Sequence, residues 1–282
     1  MTGASTVDGA VGRPAPALAA HIGRYVGYRL AGHQPGVHLG LPSPTLTLIV
    51  SLDAPVAMAA MPDPGQSPGA FTAPTAGLHT SPARIVHDGD QHGLHLELSP
   101  IGARALLGLP ASALAGTVVE LDELLGRRAG ELVDRVAAAA GWAARFAVVD
   151  DVLARDLTGQ PGPPPEVVRA WQLLVATGGL IAVAELAAEV GWSRRHLAQR
   201  FRAELGLAPK AAARVVRFDR ARRRLERSDR GGIADVAAEC GYFDQAHLTR
   251  DWHDLAGCTP TAWLAAEGLP SVQDRAALAG AP

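Results

Sequence analysis

The sequence predicts an α+β N-terminal domain followed by an all-α domain built from two helix-turn-helix units. Three observations carry that prediction. Short apolar runs of strand length alternate with turn formers over residues 20–98, a proline run closes at Pro165, and a repeat of about 50 residues lies beyond it. A chain of 282 residues is long enough for two cores, and typical domain sizes favour two domains.

In the first half, Arg24 to Leu30, Thr45 to Leu52, Ala83 to His87 and His92 to Leu98 have the length and β-branched content of strands. Met61 to Gly69 carries three prolines and two glycines and is expected to be an exposed loop. The pattern turns helical at Ser99, an expected N-cap, with Pro100 at the first helical position and Gly108 and Pro110 as the stop. Two further helices are expected at about Gly130 to Ala140 and Trp142 to Leu157. Their apolar stripe of Phe146, Val149, Leu153 and Leu157 is read as core packing in preference to a subunit interface.

The segment Thr158 to Pro165 (TGQPGPPP) holds the backbone extended and is taken as a linker. Beyond it, Glu185 to Pro209 and Asp235 to Pro260 align as two copies of one unit. Ala187-Ala188-Glu189 matches Ala237-Ala238-Glu239, and Gly191 matches Gly241. After one inserted residue, His196-Leu197 matches His247-Leu248, Phe201 matches Trp252, Gly206 matches Gly257 and Pro209 matches Pro260. Each copy reads as a short amphipathic helix ending at a glycine, an aromatic residue, and a second helix capped by Ser193 or Asp244. Leu197 with Phe201, and Leu248 with Trp252, are four apart and anchor the second helix. The opposite face then carries Arg194, Arg195, Ala198, Gln199 and Arg202 in one copy. In the other it carries Gln245, Ala246, His247, Thr249 and Arg250. Such side chains hydrogen-bond base edges and phosphates, and a helix of this size fits a major groove.

A connecting helix is expected from Pro209 to Arg227, with Val215, Phe218, Ala221 and Leu225 buried. Its seven arginines outnumber Asp219 and Glu226, which predicts a positive surface. At about 1.5 Å per residue it spans roughly 28 Å, close to the roughly 34 Å between successive major-groove faces.

These residues resemble the AraC/XylS family of bacterial transcription regulators. SRRHLAQRFRAELGLAP and GYFDQAHLTRDWHDLAGCTPTAW stand in the family's order, joined by RFDRARRRLE, and the resemblance covers about the last hundred residues. By position it implies base-facing roles for Arg195, Ala198, Gln199, Ala246, His247 and Arg250. Gln199 stands where arginine is common in the family, with Arg195 and Arg200 nearby. Trp252 and Trp263 stand where Phe and Tyr are more usual and read as core substitutions. The resemblance also implies a sequence-specific regulator of double-stranded DNA, an activator that touches RNA polymerase, with an N-terminal domain for a small-molecule effector or for homodimerisation. The expected division is a sensing or dimerisation domain at 1–157, a Pro-rich linker at 158–165, an AraC-type DNA-binding domain at 166–264 and a flexible tail at 265–282.

Charge bears on that reading. The whole chain has a formal net charge of −2, with 26 basic and 28 acidic residues, yet residues 166–264 hold 15 basic and 12 acidic ones. Lys210 is the only lysine, and the arginine excess is read as a GC-rich coding bias in preference to a functional choice. The net +3 is modest, so DNA affinity is expected to rest on local arginine placement and dimeric avidity.

Other chemistry finds less support. The segment from His92 to Leu98 puts His95 and Glu97 on one strand face, but His92 has the opposite parity and no HxH spacing occurs. His79, His87, His92 and His95 are therefore read as surface or pocket histidines and not as metal ligands. Cys240 matches Val190 in the repeat and reads as a buried hydrophobe; two cysteines fit a reducing compartment. The N-terminus lacks a signal-peptide pattern and no window is apolar enough to span a membrane, so a cytoplasmic protein with no membrane partner is expected. No cysteine precedes residue 165, which excludes a fused DNA-repair methyltransferase. No nucleophile elbow, P-loop or dinucleotide fingerprint is present, so neither an enzyme nor a cofactor is expected. Two competing readings are an enzyme or carrier domain regulated by a helical module, and a helical bundle that binds protein and not DNA.

Overall fold

The computed structural model describes residues 5–155, 157, 159, 161–227 and 231–266. The expected linker residues Thr158 and Gln160, and the tail from residue 267 onward, lie outside the described residues. Among the described residues the first half contains ten strands: β1 (Thr6–Gly12), β2 (Ile22–Ala31), β3 (Gly36–Gly40), β4 (Leu46–Ser51), β5 (Val56–Ala60), β6 (Gly69–Phe71), β7 (Pro74–Ala76), β8 (Ala83–His87), β9 (Gln91–Leu98) and β10 (Val118–Glu120). They form a six-stranded sheet, ordered β1-β2-β9-β4-β7-β10, and a four-stranded sheet, ordered β3-β8-β5-β6. The four strand runs read from sequence correspond to β2, β4, β8 and β9.

Alternation along β4 and β9 sets the two faces of the larger sheet. Leu46, Leu48, Val50, Leu94, Leu96 and Leu98 are buried in the main core. The alternate residues Thr47, Ile49 and Ser51 pair in register with Glu97, His95 and Gly93 and face the other way. On the leucine side pack the helices α1 (Ala103–Leu107), α2 (Leu121–Leu125), α3 (Arg127–Ala138) and α4 (Gly141–Ala154). Phe146, Val149 and Leu153 are buried in that core, as the stripe predicts.

On the opposite side, the space between the two sheets is a cavity of about 610 Å³. The residues lining it include His79, His87, His92 and His95, together with His38, which the sequence reading did not single out. His92 borders the cavity, but in keeping with its parity its ring turns to the helix side of β9, edge-on to Trp142 of α4 at 5.6 Å between centroids. There its ring meets Asp53 at 3.3 Å and Arg145 at 2.9 Å.

Two local expectations are corrected. Ser99 makes no side-chain cap; its N–H goes to the His21 carbonyl at 2.7 Å, and Pro100–Gly102 form a 3₁₀ turn before the short α1. The loop after β5 is exposed in its middle, but Met61 and Pro62 at its start are buried.

The second half is helical: α5 (Pro165–Ala176), α6 (Val183–Glu189), α7 (Arg194–Leu205), α8 (Pro209–Leu225), α9 (Ile233–Glu239), α10 (Gln245–Ala256) and α11 (Pro260–Ala266). Its packing crosses the proline run. Trp171 and Leu174 of α5, Leu186 of α6, and Leu197 and Phe201 of α7 belong to the same core as the sheet leucines. A second core joins α8, α9, α10 and α11 around Phe218, Trp252 and Trp263, and takes in Leu41 just after β3. Trp252 and Trp263 are buried there, with ring centroids 5.2 Å apart.

Candidate nucleic-acid interface

The two helical units repeat down to individual backbone bonds. Gly191 and Gly241 both adopt a left-handed conformation, at φ 71° and 76°, which a side chain would oppose. That turn lets Trp192 N–H reach the Ala187 carbonyl and Tyr242 N–H reach the Ala237 carbonyl, each at 2.9 Å. Ser193 Oγ then accepts from His196 N–H at 3.2 Å, and Asp244 Oδ1 from His247 N–H at 2.6 Å, capping α7 and α10. Both helices end at left-handed glycines, Gly206 and Gly257. Leu197, Phe201, Leu248 and Trp252 are fully buried, which fixes which face of each helix looks outward.

On α7 that outward face places Arg194, Arg195, Gln199 and Arg202 in solvent, with Ala198 half-buried between them; Arg200 is exposed as well. On α10, Gln245, Ala246 and Arg250 are exposed and Thr249 is half-buried. Among the described residues, Arg194, Arg195, Arg200, Arg202 and Arg250 have no carboxylate partner, so their guanidinium groups stay available to a ligand.

His247 stands apart from these. Its ring is half-buried, lies edge-on to Tyr242 with centroids 5.2 Å apart, and accepts the Phe243 N–H at Nδ1 over 3.3 Å. The neutral ring then carries its proton on Nε2, leaving one donor. His196 makes the equivalent edge contact with Trp192 at 4.6 Å. The repeat thus gives both histidines a part in holding the turn, and Phe243 beside it is 92% exposed.

The connecting helix α8 departs from its expected positive surface. Val215, Phe218, Ala221 and Leu225 are buried as predicted, but most of its arginines are held internally by carboxylates. Arg222, 2% exposed, binds Asp219 at 2.8 Å and Glu226 at 2.6 Å, while Arg223 binds Asp219 at 2.8 Å and Arg224 binds Glu239 at 2.6 Å. Arg214 and Arg217 reach the buried Asp251 of α10 at 2.6 and 3.4 Å, and Arg217 also stacks over Tyr242. Arginine counting missed this because the partners lie three or four residues away on the same helix or on another helix altogether.

The sheet domain grips the same machinery. Arg104 of α1 forms a forked pair with the buried Glu204 of α7 at 3.0 Å, and Ser112 Oγ donates to the Ala203 carbonyl at 2.6 Å. Glu97 of β9 binds Arg24 at 2.7 Å and lies 3.7 Å from Arg223 of α8. Burial pushes the Cys240 thiol above its ordinary pKa, consistent with a packing role.

Residues 186–266 match the helix-turn-helix domain family. Comparison with curated proteins finds no match. Among solved structures, a transcriptional regulator from Chromobacterium violaceum with an AraC-type DNA-binding domain is 26% identical over 38% of this chain and 96% of its own, with a TM-score of 0.35. The DNA-binding domain of AdpA, a global transcriptional factor solved with a target DNA, is 28% identical over 39% of this chain and 98% of its own, also at 0.35. ToxT from Vibrio cholerae, solved with a bound unsaturated fatty acid, is 8% identical over 96% of this chain and 98% of its own at 0.51, a likeness of fold alone. Among the described residues no helix is long and apolar enough to cross a membrane.

Proposed function

With residues 186–266 forming an AraC-type helix-turn-helix domain, we propose that the chain is a sequence-specific, non-enzymatic transcription regulator that lays α7 and α10 in successive major grooves of double-stranded DNA. The observation that carries this is the contrast in arginine pairing. The exposed arginines of α7 and α10 have no carboxylate partner among the described residues, whereas five on α8 are neutralised within the fold. At 17 residues, α8 spans about 26 Å, a separation suited to one face of a duplex. Arg195, Gln199, Gln245 and Arg250 read base edges, Ala198 and Ala246 allow close approach, and Arg194 and Arg202 bind phosphates. His247 contributes its single Nε2–H donor.

The reading includes a division at residues 158–165 between a sensing domain and the DNA-binding domain, in a cytoplasmic protein. The sensing domain acts through its hold on α7 and α8, by way of Arg104–Glu204 and Glu97–Arg223. Activation through RNA polymerase and action as a homodimer complete the proposal; in vitro transcription and sedimentation with DNA test them separately.

Selection of bound fragments from genomic DNA by the full chain supplies an operator, and mobility shifts on it across a salt series test the reading. The expected result is specific retardation whose log affinity falls steeply with log salt, with a slope of about 0.9 for each phosphate that the protein neutralises. Equal, weak binding to operator and random duplex would leave a helical bundle without sequence readout.

A further inference from the structure

The cavity between the two sheets has a chemistry of its own. Its walls are largely apolar, with Ile49, Val56, Met58, Ile85 and Val118 among them, and its volume of about 610 Å³ suits a drug-sized ligand. Among the described residues, no lysine or arginine lines it. Its carboxylates, Asp53, Asp88 and Asp90, sit exposed on the turns before β5 and β9 and give the mouth a negative rim.

The floor is different. His95 is 2% exposed, and neither ring nitrogen has a hydrogen-bond partner among the described residues. Leaving both nitrogens unpaired costs about 1–3 kcal/mol per buried polar group, a cost that a ligand can remove. Neighbouring charge is already balanced: Glu97 is paired with Arg24 and approached by Arg223, and Arg222 is tied to Asp219 and Glu226. His38 lines the cavity too. Burial holds the His95 pKa down at about 4, an effect that Glu97 opposes and that Arg24, Arg222 and His38 reinforce. At neutral pH the ring is therefore an uncharged imidazole with one donor and one acceptor.

We propose that this cavity binds an uncharged, predominantly apolar organic molecule whose hydroxyl group seats on the His95 imidazole. A hydroxyl can donate to the bare ring nitrogen or accept from the ring N–H, so either orientation of the ring lets it satisfy one of the two unpaired nitrogens. A carboxylate would pass three carboxylates to reach a floor without a free cation, and an ammonium would find Glu97 already engaged. The proposal deepens the regulator reading, on which its regulatory consequence rests. Seated there, the ligand lies two residues from Glu97, whose partners include Arg223 on α8.

Calorimetric titration of the full chain with octanol, octanoate and octylammonium at neutral pH tests it, since the three probes differ only at the headgroup. Octanol is expected to bind at least about tenfold more tightly than either ion, and His95→Leu to erase that preference. Where His95→Leu fails to fold, the ring nitrogen resonances of His95 in nitrogen-labelled wild-type chain give the same information and should shift on adding octanol. Octanoate or octylammonium binding as well as octanol, no octanol binding, or undisturbed His95 resonances would each overturn the proposal. Mobility shifts without any probe fail separately if the DNA-binding reading is wrong, and leave the calorimetric result standing.

Discussion

Gly206 provides a measurement of how firmly the sheet domain holds α7. Gly191, Gly206 and Gly257 share left-handed backbone at φ 71°, 84° and 71°, so an alanine at any of them bears the same strain of about 1–2 kcal/mol. Their surroundings differ. A Cβ at Gly191 meets nothing within 4 Å, and one at Gly257 only touches Pro82 Cγ at 3.9 Å. At Gly206 it would overlap the Cβ of Ala115 and come within 3.1 Å of the Ser112 Cα, which is backbone and cannot swing aside. Overpacking of that kind adds about 1–3 kcal/mol. Gly206→Ala should therefore cost about 2–5 kcal/mol in all, against about 1–2 for Gly191→Ala and Gly257→Ala. Urea unfolding followed by tryptophan emission reads the difference, since Trp171 packs on Phe201 of α7 at 6.2 Å between centroids. Ala115→Gly in the Gly206→Ala background should restore most of the excess, because the two side chains would occupy the same space. Equal midpoints for the three alanine variants would refute the docking of Ser112 and Ala115 against α7.

Three further outcomes are expected. Arg250→Ala should lower operator affinity by about 1–3 kcal/mol and relax specificity at one base position, as read by mobility shift; equal loss on random duplex would reduce Arg250 to a phosphate contact. Asp251→Asn should destabilise the chain by about 1–3 kcal/mol in urea, because Arg217 loses the charge it faces, and should weaken operator binding as α10 loosens from α8; unchanged stability would remove that tie from the account. His79 and His95 have pKa values lowered by burial from 6.5 to about 4, so the unfolded chain takes up protons first on acidification. The stability they confer is complete above about pH 6.5 and declines as pH falls towards 4, and His95→Leu should flatten that decline in a series of urea midpoints.

What the sequence revealed about this fold follows the range of the forces involved. The turn glycines, Ser193, Asp244 and the anchors four residues apart act within one helical turn or one tight turn, so both repeat units could be read residue by residue. Strands β2, β4 and β9 were legible from their leucine and valine alternation. Strand β1 (TVDGAVG) and the three-residue β6, β7 and β10 were not, because short Gly- and Ala-rich segments take strand geometry from a partner such as β2 and not from their own propensity. His38 joined the other histidines only once β3 had paired with β8 across the cavity. The grip of Arg104 on Glu204, 100 residues away, has no local signature at all.

The arginines show why a charge count could not locate the interface. The net +3 of residues 166–264 treats Arg222, 2% exposed between Asp219 and Glu226, as equal to the exposed Arg195. A guanidinium already held at 2.6–2.8 Å by carboxylates must break those bonds before it can neutralise a phosphate, whereas Arg195 must shed only water. Pairing therefore divides one chemical type into two jobs. The arginines of α8 clamp it to α9 and α10 and, through Arg223 and Glu97, link it to the sheet. Those of α7, with Arg250, have no carboxylate partner among the described residues and, on the proposed reading, serve DNA. On the proposed reading, the ionic contacts that hold α8 to α10 and reach towards the floor of the cavity give a ligand on His95 a route to alter the spacing of α7 and α10 without touching DNA.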